Sequence, residues 1–96
     1  MRPSEALPLH RETIRRLVLE AGMANPRVFG SALRGEDEEG SDLDILVDPA
    51  PRTSLLDLAG LQLKIEARTG IHVDLLTPGF LPLKFRQKVL EEAMPV

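Results

Sequence analysis

The sequence predicts an α/β (α+β) domain, in which a small mixed β-sheet is covered by helices in the order αβ(α)βαβα. Segments with apolar residues at helical spacing alternate with short apolar runs that end at Gly or Pro. The run DLDILV, a helical segment and the run IHVDLLT follow one another, and this order fits a right-handed parallel crossover. Because the chain has 96 residues, 43% of them hydrophobic, we expect one domain over residues 1–96.

The first half of the chain predicts a helix, a strand and a helical turn. The helix is expected from about Pro8 to Ala21, with Gly22 as its stop. The run RVFG predicts a short strand that ends at Gly30. Ser31–Gly35 predicts one helical turn with Ser31 as its N-cap, and the acidic run EDEEG that follows is expected to be a solvated loop.

The second half predicts a strand, a helix, a strand and a final helix. DLDILV is a strand that Pro49 closes, and Thr53 or Ser54 caps a helix that ends at Gly70. IHVDLLT is the last strand, and Pro78 turns the chain out of it. The final helix is expected to pack into the core through Leu83, Phe85, Val89 and Leu90, with the alternative that a small domain leaves part of this helix free for a partner.

Composition excludes several classes of protein. There is no cysteine, so disulfides, thiolate metal sites and cysteine nucleophiles are excluded, and a metal would be held mainly by oxygen. No apolar run approaches the roughly 18 residues of a membrane span, and the N-terminal segment lacks the apolar stretch of a signal peptide. We therefore expect a cytoplasmic protein without a membrane partner. The net charge of −3 also argues against direct binding to nucleic acid.

Three carboxylates are expected to share one face of the sheet. Side chains two residues apart on a strand point to the same side, so Asp42 and Asp44 project together, opposite the apolar residues between and after them. The same alternation in IHVDLLT places Asp74 on that face if the two strands are neighbours. Such carboxylates repel one another unless hard divalent cations bind. The pattern is what two-metal phosphoryl or nucleotidyl transfer requires.

The Gly30-Ser31 pair supplies a candidate phosphate site. Glycine lets the backbone approach a phosphate closely, and a serine at the start of a helix offers a hydroxyl and backbone N–H groups. Arg34, on the same helical turn, is a candidate phosphate contact, with a solvated surface charge as the alternative. The GS dipeptide becomes a specific signal only together with SDLD about ten residues later and the strand Asp74.

The segment GSALRGEDEEGSDLDILV resembles the signature of the DNA polymerase beta-like nucleotidyltransferase superfamily, in its minimal form, the MNT domain, and is most similar to the MntA-type antitoxins. The resemblance implies a nucleotidyltransferase palm and a Mg²⁺-dependent enzyme, with two ions that Mn²⁺ could replace. It also implies transfer of AMP from ATP to a hydroxyl. Asp42, Asp44 and Asp74 would be the catalytic metal ligands, and Gly30 and Ser31 would hold the triphosphate.

The same resemblance implies a protein partner. Antitoxins of the MntA type act on a HEPN-domain toxin of the HepT type, which they inactivate by adding AMP to a tyrosine. Two other functions are compatible with the residues: nucleotidyl transfer to a small-molecule hydroxyl, and neutralisation of a toxin by binding alone. The absence of an acceptor module in so short a chain weighs against the first, and the intact carboxylate set weighs against the second.

Structural roles compete with these functional ones. Asp42 and Asp44 could cap backbone amides at a strand edge, and Asp74 could be an ordinary polar strand residue. His72 shares a face with Asp74, but we leave it outside the catalytic set because strand histidines are more often packing or surface residues.

Overall fold

The computed structural model describes all 96 residues and contains a four-stranded mixed sheet. Its strands are β1 (Ala24–Phe29), β2 (Leu43–Asp48), β3 (Val73–Leu76) and β4 (Met94–Pro95), in the spatial order β3-β2-β1-β4. β2 is parallel to β3 and antiparallel to β1, which is in turn antiparallel to β4. The predicted α/β (α+β) class with a mixed sheet is confirmed.

The helices follow the expected order, with shifted ends. They are α1 (Pro3–Glu20), α2 (Ser31–Arg34), α3 (Leu55–Thr69) and α4 (Leu83–Glu92), and a 3₁₀ turn covers Pro78–Phe80. The start of α3 is as predicted, because Ser54 Oγ accepts a hydrogen bond from the Asp57 N–H at 3.2 Å and Asp57 bonds back to the Ser54 N–H.

The first helix begins at Pro3, one and a half turns before the predicted start at Pro8. Two features hold this extra segment. The carboxylate of Glu5 accepts hydrogen bonds from the Arg2 backbone N–H at 3.0 Å and from Arg2 Nε at 3.3 Å. The carboxylate of Asp37 accepts hydrogen bonds from the Ser4 N–H and hydroxyl, both at 2.7 Å. Asp37 is therefore buried, at 3% exposure, and the prediction that the whole acidic loop is solvated is wrong at this residue. Its partner lies 33 positions away, so no local pattern could reveal it.

The main core lies on one face of the sheet, beneath α1 and α3. It is a cluster of 18 buried residues. β2 contributes Leu43, Ile45 and Val47, all fully buried, and α3 contributes Leu58, Leu61 and Ile65. The strand alternation predicted for DLDILV is thus confirmed, since its apolar residues point into the helix layer.

The opposite face of the sheet is only partly covered. A small cluster of Phe29, Leu46 and Leu81 is buried there, and Val89 of α4 packs against it. α4 itself contains no buried residue: Leu83 is 80% exposed and Phe85 is 52% exposed. The prediction that residues of α4 belong to the core is therefore wrong for Leu83, Phe85 and Leu90, because the small cluster offers α4 little apolar surface to bury. Val89 is half-buried against that cluster.

The last strand was not predicted. β4 has two residues, too few to produce an alternating pattern, and its position depends on contacts with distant segments. The Val96 N–H donates to the Pro26 carbonyl at 2.9 Å, and Arg15 Nε donates to the Val96 carbonyl at 2.7 Å. None of the helices combines the length and the apolar composition that a membrane-spanning segment requires.

Candidate active site

The register of β2 and β3 brings two of the predicted carboxylates together. Asp44 pairs with Asp74 across the parallel strands, and adjacent strands lie about 4.8 Å apart. The Leu43 N–H donates to the His72 carbonyl at 2.8 Å, which fixes this register. Asp42 lies one residue before β2 and is exposed. The face that carries Asp44 and Asp74 is the partly covered one, opposite the main core.

The carboxyl group of Asp44 is the electrostatically unusual group of the chain. Burial first, and then repulsion from Asp74 and Asp42, raises the pKa of Asp44 to about 6, while the positive charge of Arg34 opposes the rise. Near neutral pH the folded protein therefore ionises Asp44 at a cost. A cation bound at this point would remove that cost.

Asp48 lies on the same strand and face as Asp44, but its carboxylate has hydrogen-bond donors from the protein. Asp48 accepts a hydrogen bond from Arg27 Nη1 at 3.0 Å and another from Asn25 Nδ2 at 3.2 Å. Asp44, four residues earlier, accepts none from any protein donor. The chain neutralises Asp48 with its own cation and leaves Asp44 free to bind something else.

Gly30 brings the main chain against the Asp44 carboxylate. Its φ of 75° and ψ of −153° belong to a region that residues other than glycine avoid. A Cβ added there would overlap Asp44 Oδ2 and lie 3.2 Å from Asp44 Cγ. The neighbouring Phe29 pairs with Asp44 across β1 and β2, so the end of β1 and the start of β2 are fixed side by side. Glycine is required here for space as well as for backbone conformation.

Ser31 differs from its predicted role in one respect. The N-cap of α2 is Gly30, and Ser31 is the first residue of the helix, so the expected side-chain cap does not form. The half-buried Ser31 hydroxyl makes no hydrogen bond within the protein and is available to a ligand. The shift by one residue follows from the positive φ of Gly30, which sets the entry to the helix.

Arg34 lies near the site but is engaged by acidic groups. Its Nε lies 3.3 Å from Glu36 Oε2, and its Nη1 lies 3.5 Å from Glu92 Oε2 on α4. These are exposed ion pairs of small energy, so a triphosphate could compete for the guanidinium. Arg34 is thus placed where it could bind phosphate, and it also connects α2 to α4.

A cavity of about 330 Å³ opens between α2, the end of β3 and α4. Gly30 and Arg34 are on its wall, with Phe29, Leu76, Phe85 and Lys88. Its size is at the lower end for a small-molecule site, and its lining combines apolar side chains with two cations and the carboxylate of Glu92. Sequence patterns did not identify it, because its walls come from four separate segments that only the tertiary fold assembles.

The carboxylates do not form a preassembled metal cage. No group of three or more acidic or histidine side chains is close enough to enclose an ion. The donor chemistry nevertheless suits Mg²⁺, which prefers carboxylate oxygens and keeps several of its waters. The raised pKa of Asp44 and its lack of a protein donor are the observations that fit a hard cation at this point.

Comparison with known proteins bears on this site. The family model of the nucleotidyltransferase domain matches residues 9–96. The chain belongs to the nucleotidyltransferase family. It is therefore an enzyme of the class that transfers nucleotidyl groups, as the GS and Asp-x-Asp patterns predicted.

Individual relatives agree with that assignment. The protein adenylyltransferase MntA of Thermococcus cleftensis is 38% identical over 90 residues, which is 94% of this chain and 88% of the relative. A solved structure assigned as a minimal nucleotidyltransferase is 41% identical, with a TM-score of 0.85 over 97% of this chain and 95% of the other. A toxin–antitoxin complex crystallised with AMP-PNP shares the fold, with a TM-score of 0.76 at 22% identity over 88% of this chain and 70% of the other.

Proposed function

We propose that this nucleotidyltransferase is a protein adenylyltransferase and the antitoxin of a toxin–antitoxin pair. It would transfer AMP from ATP to a tyrosine hydroxyl of a HEPN-domain toxin of the HepT type. The observation that carries the proposal is the Asp44 carboxylate, which faces Asp74 across two parallel strands, lacks any protein donor and lies against Gly30. A cytoplasmic location and one domain over residues 1–96 remain predictions.

The residues divide into a metal-binding set and a phosphate-binding set. Asp42, Asp44 and Asp74 would hold two Mg²⁺ ions, which would neutralise charge on the phosphates and make the acceptor oxygen more nucleophilic. Gly30 and Ser31 would bind the triphosphate through backbone N–H groups and the free hydroxyl, a mode that suits anions. Arg34 would exchange its carboxylate partners for phosphate oxygens.

The reaction is a displacement at the α-phosphorus of ATP. The acceptor oxygen forms a bond to this phosphorus, the bond from it to the oxygen that bridges the α- and β-phosphates breaks, and pyrophosphate leaves. The carboxylate of Asp74 takes up the proton of the acceptor hydroxyl. The fixed register of Asp44 and Asp74 would position these groups before the substrates arrive, which is how an enzyme lowers the barrier without reorganising itself.

A protein acceptor is favoured by the surface around the site and by the relatives. α4 borders the cavity and exposes Leu83 and Phe85, which gives a partner apolar surface to bind. The Thermococcus cleftensis relative carries the name of a protein adenylyltransferase, and the toxin–antitoxin complex of the same fold contains an ATP analogue.

Mass spectrometry tests the proposal. The protein is incubated with ATP, Mg²⁺ and a HEPN-domain toxin of the HepT type, and the toxin should gain about 329 Da for each AMP transferred. The double variant Asp42→Asn/Asp44→Asn should transfer none while still binding the toxin. Asp48→Asn is the matched control, since it removes a charge from the same strand and face but keeps an acceptor for Arg27, and it should transfer AMP normally.

Two results would overturn the proposal. If the double variant neutralises the toxin as well as the wild type does, and neither modifies it, the protein acts by binding alone. If AMP appears on a small-molecule hydroxyl and never on the toxin, the acceptor class is wrong although the chemistry is right.

A further inference from the structure

The free edge of β3 is closed by two side chains of α3. The N–H of Val73 donates to Glu66 Oε2 at 2.9 Å, and the N–H of Leu75 donates to Gln62 Oε1 at 3.2 Å. β3 is the outermost strand of the sheet, so no neighbouring strand could accept from these two N–H groups. Glu66 and Gln62, here called the acceptor pair, do so instead.

The spacing of the acceptor pair on α3 matches the spacing of the two N–H groups on β3. Glu66 and Gln62 are four residues apart, which places them on one side of α3, and Val73 and Leu75 are two residues apart, which points both N–H groups to the same edge. The residue between Val73 and Leu75 is Asp74. The two hydrogen bonds therefore flank the one residue of β3 that the proposed active site uses.

We propose that Gln62 and Glu66 are positioning residues that keep Asp74 opposite Asp44 and so set the affinity of the site for metal and nucleotide. This inference rests on the proposed function, in which Asp74 is a metal ligand. Each member of the pair acts through the backbone on one side of Asp74, because its oxygen accepts from a main-chain N–H group.

Two features make such support necessary. β3 has four residues and is hydrogen-bonded to a strand on one side only, so the sheet leaves its outer edge without support. Asp44 and Asp74 repel each other across that one pairing. Metal affinity commonly falls by about 10–100-fold when groups that hydrogen-bond to the metal ligands, and so orient them, are removed.

The test uses variants that remove the acceptor and variants that keep it. Glu66→Leu and Gln62→Leu delete the acceptor oxygens at similar volume, whereas Glu66→Gln and Gln62→Glu retain one. Lys64→Leu, an exposed change on the same helix, is the matched control. For each protein, Mn²⁺ is titrated in the presence of a non-hydrolysable ATP analogue, and amide exchange at Val73 and Leu75 is followed by NMR.

We expect the two leucine variants to weaken Mn²⁺ binding by about 10-fold or more. Exchange at the amide that lost its acceptor should speed up by about 5–10-fold, as for one lost hydrogen bond. Glu66→Gln and Gln62→Glu should restore Mn²⁺ binding to within about 2-fold of the wild type, a rescue that supports positioning. Lys64→Leu should change neither quantity.

Asp74→Asn separates failure of this inference from failure of the proposed function. If the wild type binds Mn²⁺ and Asp74→Asn weakens binding, but the leucine variants bind as the wild type does, the positioning role is refuted and the metal site stands. If Asp74→Asn leaves Mn²⁺ binding unchanged, Asp74 is not a ligand, and both the proposed metal set and the positioning role are wrong.

Discussion

The two faces of the sheet differ in how they treat apolar and charged side chains. The face under α1 and α3 buries 18 residues in one cluster, whereas the face that carries Asp44 buries three. Both faces use the same strand: Ile45 of β2 is fully buried on the first, and Asp44 beside it is on the second without a hydrogen-bond partner. The first face provides stability, and the second leaves the carboxylate of Asp44 without a partner from the protein.

The substitution with the largest expected effect on stability is Ile45→Ala, in the centre of the first face. Removing a fully buried side chain of this size costs about 2–5 kcal/mol, because apolar burial is lost and a cavity remains. Chemical denaturation should show this loss of unfolding free energy. A change below about 1 kcal/mol would mean that the main core does not carry the stability of the fold.

Gly30→Ala is expected to damage the second face directly. The added methyl group meets the Asp44 carboxylate, and the backbone conformation strongly favours glycine, so we expect a loss of about 1–3 kcal/mol. Nucleotide binding, measured by calorimetry with Mn²⁺ and a non-hydrolysable ATP analogue, should be lost as well. Gly79→Ala, where a Cβ would meet nothing within 4 Å, is the control and should retain both properties. Normal binding by Gly30→Ala would contradict the placement of the phosphate site.

The pH dependence of stability should differ between the wild type and Asp44→Asn. The pKa of Asp44 is about 6 in the folded protein and about 3.9 when unfolded, so the folded state holds the proton more tightly. In metal-free buffer the wild type should therefore gain about 1–2 kcal/mol relative to the variant as the pH falls from 7 to 4, an amount reduced by solvent screening. Urea titrations of both proteins at several pH values measure this difference in unfolding free energy. If the difference does not change with pH, the pKa of Asp44 is not raised in the folded protein.

Asp37, the buried carboxylate of the acidic loop, should make stability depend on pH in the opposite direction. Burial opposes the ionisation of Asp37, but its hydrogen bonds from Ser4 outweigh that effect and lower its pKa. Its stabilising contribution is present above the unfolded pKa and is lost as the pH falls through the lower folded value. Stability of the wild type should therefore fall again at strongly acidic pH.

The smallest effect is expected on the exposed helix of the second face. Leu83→Ser removes a side chain that is 80% exposed, so the unfolding free energy should change by no more than about 0.5 kcal/mol. The proposed docking role predicts weaker association with the toxin in a pull-down or calorimetric titration. A destabilisation above about 1.5 kcal/mol would show that α4 is part of the core after all.

The carboxylate face could be predicted because side chains alternate between the two faces of a strand, a pattern visible over a few neighbouring residues. Asp44 and Asp74 could be assigned to one face from residues two positions apart, and the β2–β3 crossover placed them side by side. Asp42 precedes β2, and its place in the site stays a prediction. The predictions that were wrong concern residues whose partners are distant in the sequence. Asp37 reaches Ser4 across 33 positions.

The apolar pattern of α4 illustrates a second limit. Residues Leu83 and Phe85 predict an amphipathic helix, but a pattern cannot say whether its apolar side meets the core or a partner. Burial is a property of the whole fold, and here the second face has too little apolar surface to cover this helix. The cavity beside it was missed for the same reason, because its walls come from separate elements.

Thermal melting can show whether Asp44 stays unpaired in the fold because metal and nucleotide bind there. Without ligand, Asp44→Asn should melt at the same temperature as the wild type or higher. With Mn²⁺ and a non-hydrolysable ATP analogue at about 100 times the dissociation constant, the wild type should gain roughly 10 °C, since such binding adds about 2.7 kcal/mol. The variant should gain almost nothing, so the order of the two melting temperatures reverses. If Asp44→Asn melts lower without ligand and gains as much with it, Asp44 is a structural residue and does not bind the metal or the nucleotide.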